Sequence, residues 1–345
     1  MQRIISAIRA DNNISWISRR HNKLSEYSLP GCKHLTIKTI IRRGILFYAE
    51  FNLRLFFMLL FSKAEIISAV DLDTLPAAFM ASAIKRKPLV FDAHEVFHEV
   101  PELHGKKFKR RIWQILSAFL MPRTDSRYTV NVSLAKLFER EFACPFEIIR
   151  NVPELKTNSS IHSPVQSNKT LVYLGVVNKG RGIELAVRAL GKLEAYKLLI
   201  IGDGDCMEDI RKLVSDLNLQ NRIEMTGYIS PGLIGSTLAK GSIGLNMLTA
   251  DSESYRLSLA NKFFDYIHAG LPSVSMDFPE YRLINQQYEV AELVSEYSIS
   301  ALVNAILRLE KSGRYEKLQV NCIEARKDFN WQNESAKLSE IYNSL

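Results

Sequence analysis

Cysteine is scarce in this chain: Cys32, Cys144, Cys206 and Cys322 are the only four in 345 residues, with no CxxC pair and no Cys/His cluster. That excludes a disulfide framework and a cysteine-rich zinc module, and it fits a reducing compartment. No secretion signal is visible, because Arg3, Arg9 and Asp11 interrupt the opening residues and no apolar h-region precedes a cleavage site. A long uncharged apolar run is also lacking. The greasiest stretch, GILFYAEFNLRLFFMLLF at 44–61, carries Glu50 and Arg54 near its middle. A charge at a bilayer centre costs about 2.5–3.5 kcal/mol, so a membrane span is improbable. The stretch reads as a helix mostly buried in a domain, with an interfacial helix as the second reading.

What is present is ordinary globular material, 47% hydrophobic and 24% charged. The length suits two domains of roughly 150–200 residues each. The net charge of +8 is unevenly spread. Residues 1–150 hold 24 Lys and Arg against 14 Asp and Glu, whereas residues 151–345 hold 21 against 23. The whole excess therefore lies in the first half, which suggests an anionic partner there.

Apolar strand-like runs alternate with amphipathic helical ones along the chain. In the first half the strands are expected at 14–18, 65–71, 88–94, 128–132 and 146–152, after an opening helix in MQRIISAIRADNN. The polar segment 154–169 reads as a linker. The rhythm then restarts, with strands expected at 170–175, 197–204, 222–229, 242–248, 272–277 and 289–295. Repeated β-α units predict parallel sheets covered by helices, hence an α/β chain of two tandem Rossmann-like domains. The first domain (1–153, with a C-terminal amphipathic helix at 331–345 packing back onto it) is expected to lack its opening strand, and the second spans 170–330. Ligands of such domains bind at the carboxyl ends of the strands, which would face an interdomain cleft.

Three turns could carry chemistry. Gly175 ends a strand, and Asn178, Lys179, Gly180, Arg181 and Gly182 form a basic, glycine-bearing loop before a helix. Glycines admit an anion to the backbone and the helix start offers free N–H groups. IIGDGD at 200–205, with Gly202 and Gly204, lacks the full GxGxxG spacing, and a tight turn needed for packing explains it equally well. The third and strongest signal is SYRLSLANKFFDYIHAGLPSVSMD at 254–277. Asn261 and Lys262 occupy the first turn of a helix, where an anion is favoured. Asp265 follows at i+4 and i+3 from them, on the same side, where it could accept ribose hydroxyls. An exposed Lys–Asp pair on a surface helix is the bland alternative.

The succession YLGVVNKGRGIELAVRAL, LLIIGDGD, RIEMTGYIS and LANKFFDYIHAGLPSVSMD resembles the nucleotide-sugar half of GT-B glycosyltransferases, specifically retaining family 4. In the first half AEIISAVDLDTLPAAFMAS and KPLVFDAHEVFHEVPEL resemble that group's acceptor domain. The resemblance spans nearly the whole chain. It implies two Rossmann-like domains, a nucleoside-diphosphate sugar as co-substrate rather than a bound cofactor, and no obligatory metal. It implies further that Arg181 binds phosphate, that Asp265 stands for the second glutamate of the EX7E motif at the ribose, and that Asn261 and Lys262 cover the diphosphate and sugar. Gly175, Lys179, Gly180, Gly202, Gly204 and Tyr228 would line the donor site, and His94 would lie near the reacting sugar. Leu257 stands where the first EX7E glutamate falls, Ser258 and Leu259 replace the usual glycines, and Val176 replaces an arginine.

The resulting expectation is a retaining glycosyltransferase acting on a lipid-linked or polysaccharide acceptor. The basic run Lys106, Lys107, Lys109, Arg110 and Arg111, beside Phe108 and Trp113, fits attraction to anionic lipid or to a lipid-diphosphate acceptor, and equally a solvated helix face. A cytoplasmic protein, peripheral at the inner face of the membrane, is the matching location. Nucleic acid is disfavoured, since no stacking motif or helix-turn-helix accompanies the charge. Two other functions stay open: an epimerase or hydrolase using Asp92, Glu95 and Glu99, and a non-catalytic subunit of a glycosyltransferase complex.

Overall fold

The computed structural model describes residues 2–9, 12–20, 31–97, 105–156, 169–251 and 253–345. Most of the expected linker at 154–169 lies outside them, as does Glu99. The chain divides into two compact units, one reaching to Arg150 and completed by Gln332–Leu345, the other Asn151–Trp331.

The first unit opens with α1 (Gln2–Ile8), β1 (Ser15–Arg19), β2 (Lys33–Ile37) and α2 (Ile45–Leu60). Next come β3 (Ile67–Val70), α3 (Leu75–Lys85), β4 (Leu89–Ala93) and α4 (Lys107–Leu120). It continues with β5 (Ser126–Thr129), α5 (Val132–Phe142) and β6 (Glu147–Ile148). Strands β3-β4-β5-β6 form one parallel sheet, and β1 and β2 pair in parallel as a second.

Three expectations need correction here. β2, KHLTI, was not anticipated, because Lys33, His34 and Thr36 mask its apolar alternation. The strand expected at 128–132 ends at Thr129, since Asn131 accepts a hydrogen bond from the Leu134 amide (2.8 Å) and so caps α5. The 44–61 stretch is a helix, but it is not mostly buried. Only Phe51 and Leu55 are fully covered, while Leu46, Leu53, Phe57 and Phe61 are exposed.

The second unit runs β7 (Thr170–Leu174), α6 (Ile183–Leu190), β8 (Lys197–Ile201), α7 (Met207–Asp216) and β9 (Ile223–Gly227). It proceeds through α8 (Ile234–Leu238), β10 (Ile243–Asn246), α9 (Glu253–Arg256) and α10 (Asn261–His268). It closes with β11 (Ser273–Met276), α11 (Pro279–Tyr288), β12 (Ala291–Val294), α12 (Ile299–Leu309) and α13 (Arg314–Asp328). The final helix, α14 (Trp331–Asn343), belongs almost wholly to the first unit, where Tyr342 meets Ser68 (2.9 Å) and Glu334 accepts from the Arg150 amide (2.9 Å).

Six parallel strands form the second sheet in the order β12-β11-β10-β7-β8-β9. Strand order therefore reverses between β7 and β10. In open α/β sheets the ligand crevice lies just beyond the strand ends at such a reversal. A side chain at Gly202 would overlap the carbonyl oxygen of Gly175, and one at Gly204 would run against that of Val177. The glycines of IIGDGD thus let the β8 turn lie directly on the β7 turn, and close packing accounts for them.

Candidate functional site

The reversal point is held open by one side chain. Strands β7 and β10 pair only at Ile243 with Leu171 and at Gly244 with Val172, then splay. The Tyr266 hydroxyl fills the gap: it accepts from the Leu174 amide (3.0 Å) and lies 3.1 and 3.2 Å from the carbonyls of Val172 and Leu245. Gly244 is small because any side chain there would strike the Tyr266 ring. Helix α10 is thereby latched over the crevice, with its N-terminus on the side of the strand ends. The Tyr281 hydroxyl fixes that entry by accepting from the Ala260 amide (3.0 Å). Tyr266→Phe should leave three buried backbone groups short of a partner. The expected cost is about 1–3 kcal/mol, read by urea denaturation, together with weaker donor binding as α10 loosens. Unchanged stability would remove this role.

Into the crevice run two cations. Lys262, at the first turn of α10, is only 7% exposed, and its ammonium has no hydrogen-bond partner among the described residues. It sits over the Tyr173 ring, 3.7 Å from the centroid. Its methylene end also covers the backbone of Gly175, whose absent side chain would meet Lys262 Cε at 3.6 Å. Arg181 stacks over Tyr255 at 5.3 Å, and its Nε is buried without a hydrogen-bond partner among the described residues. Burial first, then the nearby Arg181 charge, holds the Lys262 amine well below the ordinary lysine range. The bland reading of Lys262 as half of an exposed surface pair is therefore overturned.

Around these cations stand Thr249 and Asn246, each with a buried oxygen that finds no hydrogen-bond partner among the described residues. The Gly180 carbonyl accepts from the Thr249 amide (3.0 Å), tying the two loops together. Helix α10 has no side-chain cap, so its first amides add to the positive end of its dipole. Two like charges in low dielectric, next to the uncapped start of a helix, form a place that an anion would relieve.

Other expected donor residues are arranged differently. Lys179, Tyr228 and Asn261 are exposed, and Asp265 is half-buried on α10 beside Tyr266. Leu257 directly follows α9, its amide bonded to the Glu253 carbonyl (2.9 Å). Sequence reasoning missed Tyr173, Tyr255, Thr249 and Asn246. An aromatic residue two positions before the strand-ending Gly175 was the one available hint.

The first unit carries a separate cluster at the carboxyl edge of β3 and β4. His94 Nε2 lies 3.1 Å from Asp92 Oδ2, and the His94 amide donates to Asp71 Oδ1 (2.9 Å). Asp92 is 1% exposed, and apart from the close approach of His94 neither of its carboxylate oxygens has a well-aligned hydrogen-bond partner among the described residues. Burial opposes a charge on His94, but the Asp92 hydrogen bond and the charges of Asp92 and Asp71 prevail and raise it. Burial first, and then the Asp71 charge, push the Asp73 carboxyl up to about 7. Glu95 is exposed, unlike Asp92. Among the described residues no group of three or more His, Cys, Asp or Glu side chains is disposed to hold a metal ion.

Residues 156–329, which include every element of the crevice, match the family of glycosyl transferases group 1. Solved structures share the two-domain GT-B architecture. Sucrose-phosphate synthase from Thermosynechococcus elongatus superposes with a TM-score of 0.80 at 16% identity, covering 99% of this chain and 90% of its own. A glycosyltransferase from Rickettsia africae gives 0.77 at 12% identity, with 99% and 94% covered. Anabaena HepE, determined in complex with UDP-glucose, gives 0.71 at 16% identity, with 91% and 86% covered. At such identities the likeness shows the fold alone. No curated protein sequence matches the chain. The family match takes in half of the chain and all of the cationic crevice, and this protein belongs to the glycosyl transferases group 1 family.

Proposed function

We propose that this glycosyltransferase takes a sugar from a nucleoside diphosphate and passes it to a lipid-linked or polysaccharide acceptor with retention of anomeric configuration. The observation that carries the donor half is the pair Lys262 and Arg181, two cations gathered around Tyr173 at the strand reversal with Lys262 buried. Breaking a sugar–phosphate bond leaves negative charge on the diphosphate. Preorganised cations and helix amides in a dry crevice stabilise that charge without reorganising. Lys262, Arg181 and the amides at the start of α10 would hold the departing diphosphate, and Asp265 the ribose. These groups supply the positive charge that a metal would otherwise bring, so the reaction proposed draws on none.

UDP-glucose in the HepE complex makes a uridine nucleotide the first donor to try. A thermal-shift panel of nucleoside diphosphates should give stabilisation by one base above the others. At a hundred times its Kd, a ligand adds about 2.7 kcal/mol. A flat panel would remove the donor reading. Product configuration by proton NMR should show retention, and an inverted product would overturn that half of the proposal. The excess positive charge of the first unit supports an acceptor carried at the cytoplasmic face of a membrane.

A further inference from the structure

The first unit exposes a patch that its core does not explain. Between residues 38 and 46, Ile40, Ile41, Ile45 and Leu46 are exposed, Ile40 to 82%, and they alternate with exposed Lys38, Arg42 and Arg43. Single exposed apolar residues are ordinary, but four within nine residues among cations are not. The loop is held in place. The Glu50 carboxylate accepts the amides of Ile40 (2.9 and 3.0 Å) and Ile41 (2.8 Å), and it binds Arg54 Nε (2.9 Å). Those backbone amides also keep its carboxyl below the usual range. Glu50 is the one acid between residues 31 and 64, against six Lys and Arg.

Helix α2 extends the patch. Leu46, Leu53, Phe57 and Phe61 recur at spacings of seven and four, and the rings of Phe57 and Phe61 are stacked 6.5 Å apart. A shallow groove beside them is lined by Ile37, Lys38, Arg54, Phe57 and Met58. On α4, which meets α2 through Trp113 and Tyr48, the outward stripe reads Phe108, Arg111, Ile115, Phe119. Phe108 is 73% exposed, and Arg123 stacks over Phe119 at 4.0 Å. The basic run expected from the sequence opens this stripe, with Lys106, Lys107 and Arg111 exposed.

We infer that the loop 38–44, with the outer faces of α2 and α4, docks on an anionic phospholipid bilayer, the isoleucines and phenylalanines entering the acyl boundary and the cations meeting lipid phosphates. Apolar side chains ringed by Lys and Arg fit the headgroup boundary on both counts. A second copy of this chain fits worse, since a two-fold contact would press like charges together. No helix among the described residues is long and apolar enough to cross a membrane, so the contact lies along the surface. The inference does not depend on the chemistry assigned to the second unit.

The test is co-sedimentation of the full chain with phosphatidylcholine vesicles, with and without about a third phosphatidylglycerol. Binding should require the anionic lipid and weaken as salt rises. Arg42→Ala with Arg43→Ala should weaken it roughly tenfold to thirtyfold. Ile40→Asp with Leu46→Asp should weaken it further, even at low salt. Both pairs should keep the parent's melting temperature and nucleoside-diphosphate response, which separates this failure from that of the donor site. Sedimentation indifferent to anionic lipid and to both pairs would overturn the inference. So would a dimer in solution that Ile40→Asp dissolves.

Discussion

Lys262→Met should lose turnover by a factor on the order of 10²–10³, the usual effect of deleting one preorganised donor at a developing oxyanion, while its melting temperature stays at or above the parent's. The two halves of that expectation come from one fact. Lys262 is buried against Tyr173 and Gly175, and its ammonium makes no hydrogen bond among the described residues. Burying an unpaired charge opposes folding, so an apolar side chain of similar length should be neutral or stabilising there. A charge kept for a ligand shows this pattern. A large drop in melting temperature with activity retained would make Lys262 a packing residue and end its role.

The same amine makes a pH prediction. Its folded pKa is lowered from 10.5, so the unfolded chain binds more protons in the window between the lowered value and 10.5. The ligand-free protein should therefore gain stability from this group as pH rises through that window. A bound diphosphate would push the pKa back up, so binding should take up protons and weaken toward high pH. Lys262→Met should abolish both effects in calorimetry across buffers of different ionisation enthalpy.

How much of this could be read beforehand differed between the two units for physical reasons. In the second, five of the six strands are buried on both faces, as in Leu171, Val172 and Tyr173 or Leu198, Leu199 and Ile200, and only β9 is half-exposed. Near-continuous apolar runs of that kind are unambiguous, and all six strands fall within the expected segments. In the first, the short β2 pairs only with β1 and has a single buried residue, Ile37, so no clear period marks it. The apolar 44–61 helix was misjudged because hydrophobicity reports what a helix can bury, not what the fold covers. At the crevice, Arg181 and Lys262 were visible as cations near glycine turns. Tyr173, Tyr255 and Tyr266 act through distances between loops far apart in sequence. Tyr266 in particular reads as a core residue, and only the splay of β7 from β10 gives its hydroxyl a purpose.

His94→Ala should lower kcat by about 10²-fold or more, the range found for a positioned proton-bearing group, and Asp92→Asn should reveal why. In the parent, Nε2 of His94 faces the buried Asp92 carboxylate at 3.1 Å. With its pKa raised, largely by Asp92, the ring keeps its proton to higher pH. Asparagine removes that charge, so the His94 pKa should fall and the alkaline limb of kcat/KM should move to lower pH, with acid-side activity largely kept. A histidine that merely ties the loop to Asp71 would show no such displacement, and an unmoved limb would dismiss the proton-bearing role. Stability gives an independent sign. The folded pKa of His94 is raised above 6.5, and that of Asp73 is raised from 3.8 to about 7. Each therefore contributes stability that is complete below its unfolded value and is lost as pH rises through the folded one. For Asp73 that loss spans pH 3.8 to about 7, and Asp73→Asn should flatten it. Acidic pH would then favour the folded first unit through the same carboxyl cluster that keeps His94 charged, so Asp92→Asn should also shrink the stability that His94 contributes below pH 6.5 and loses as pH rises above it.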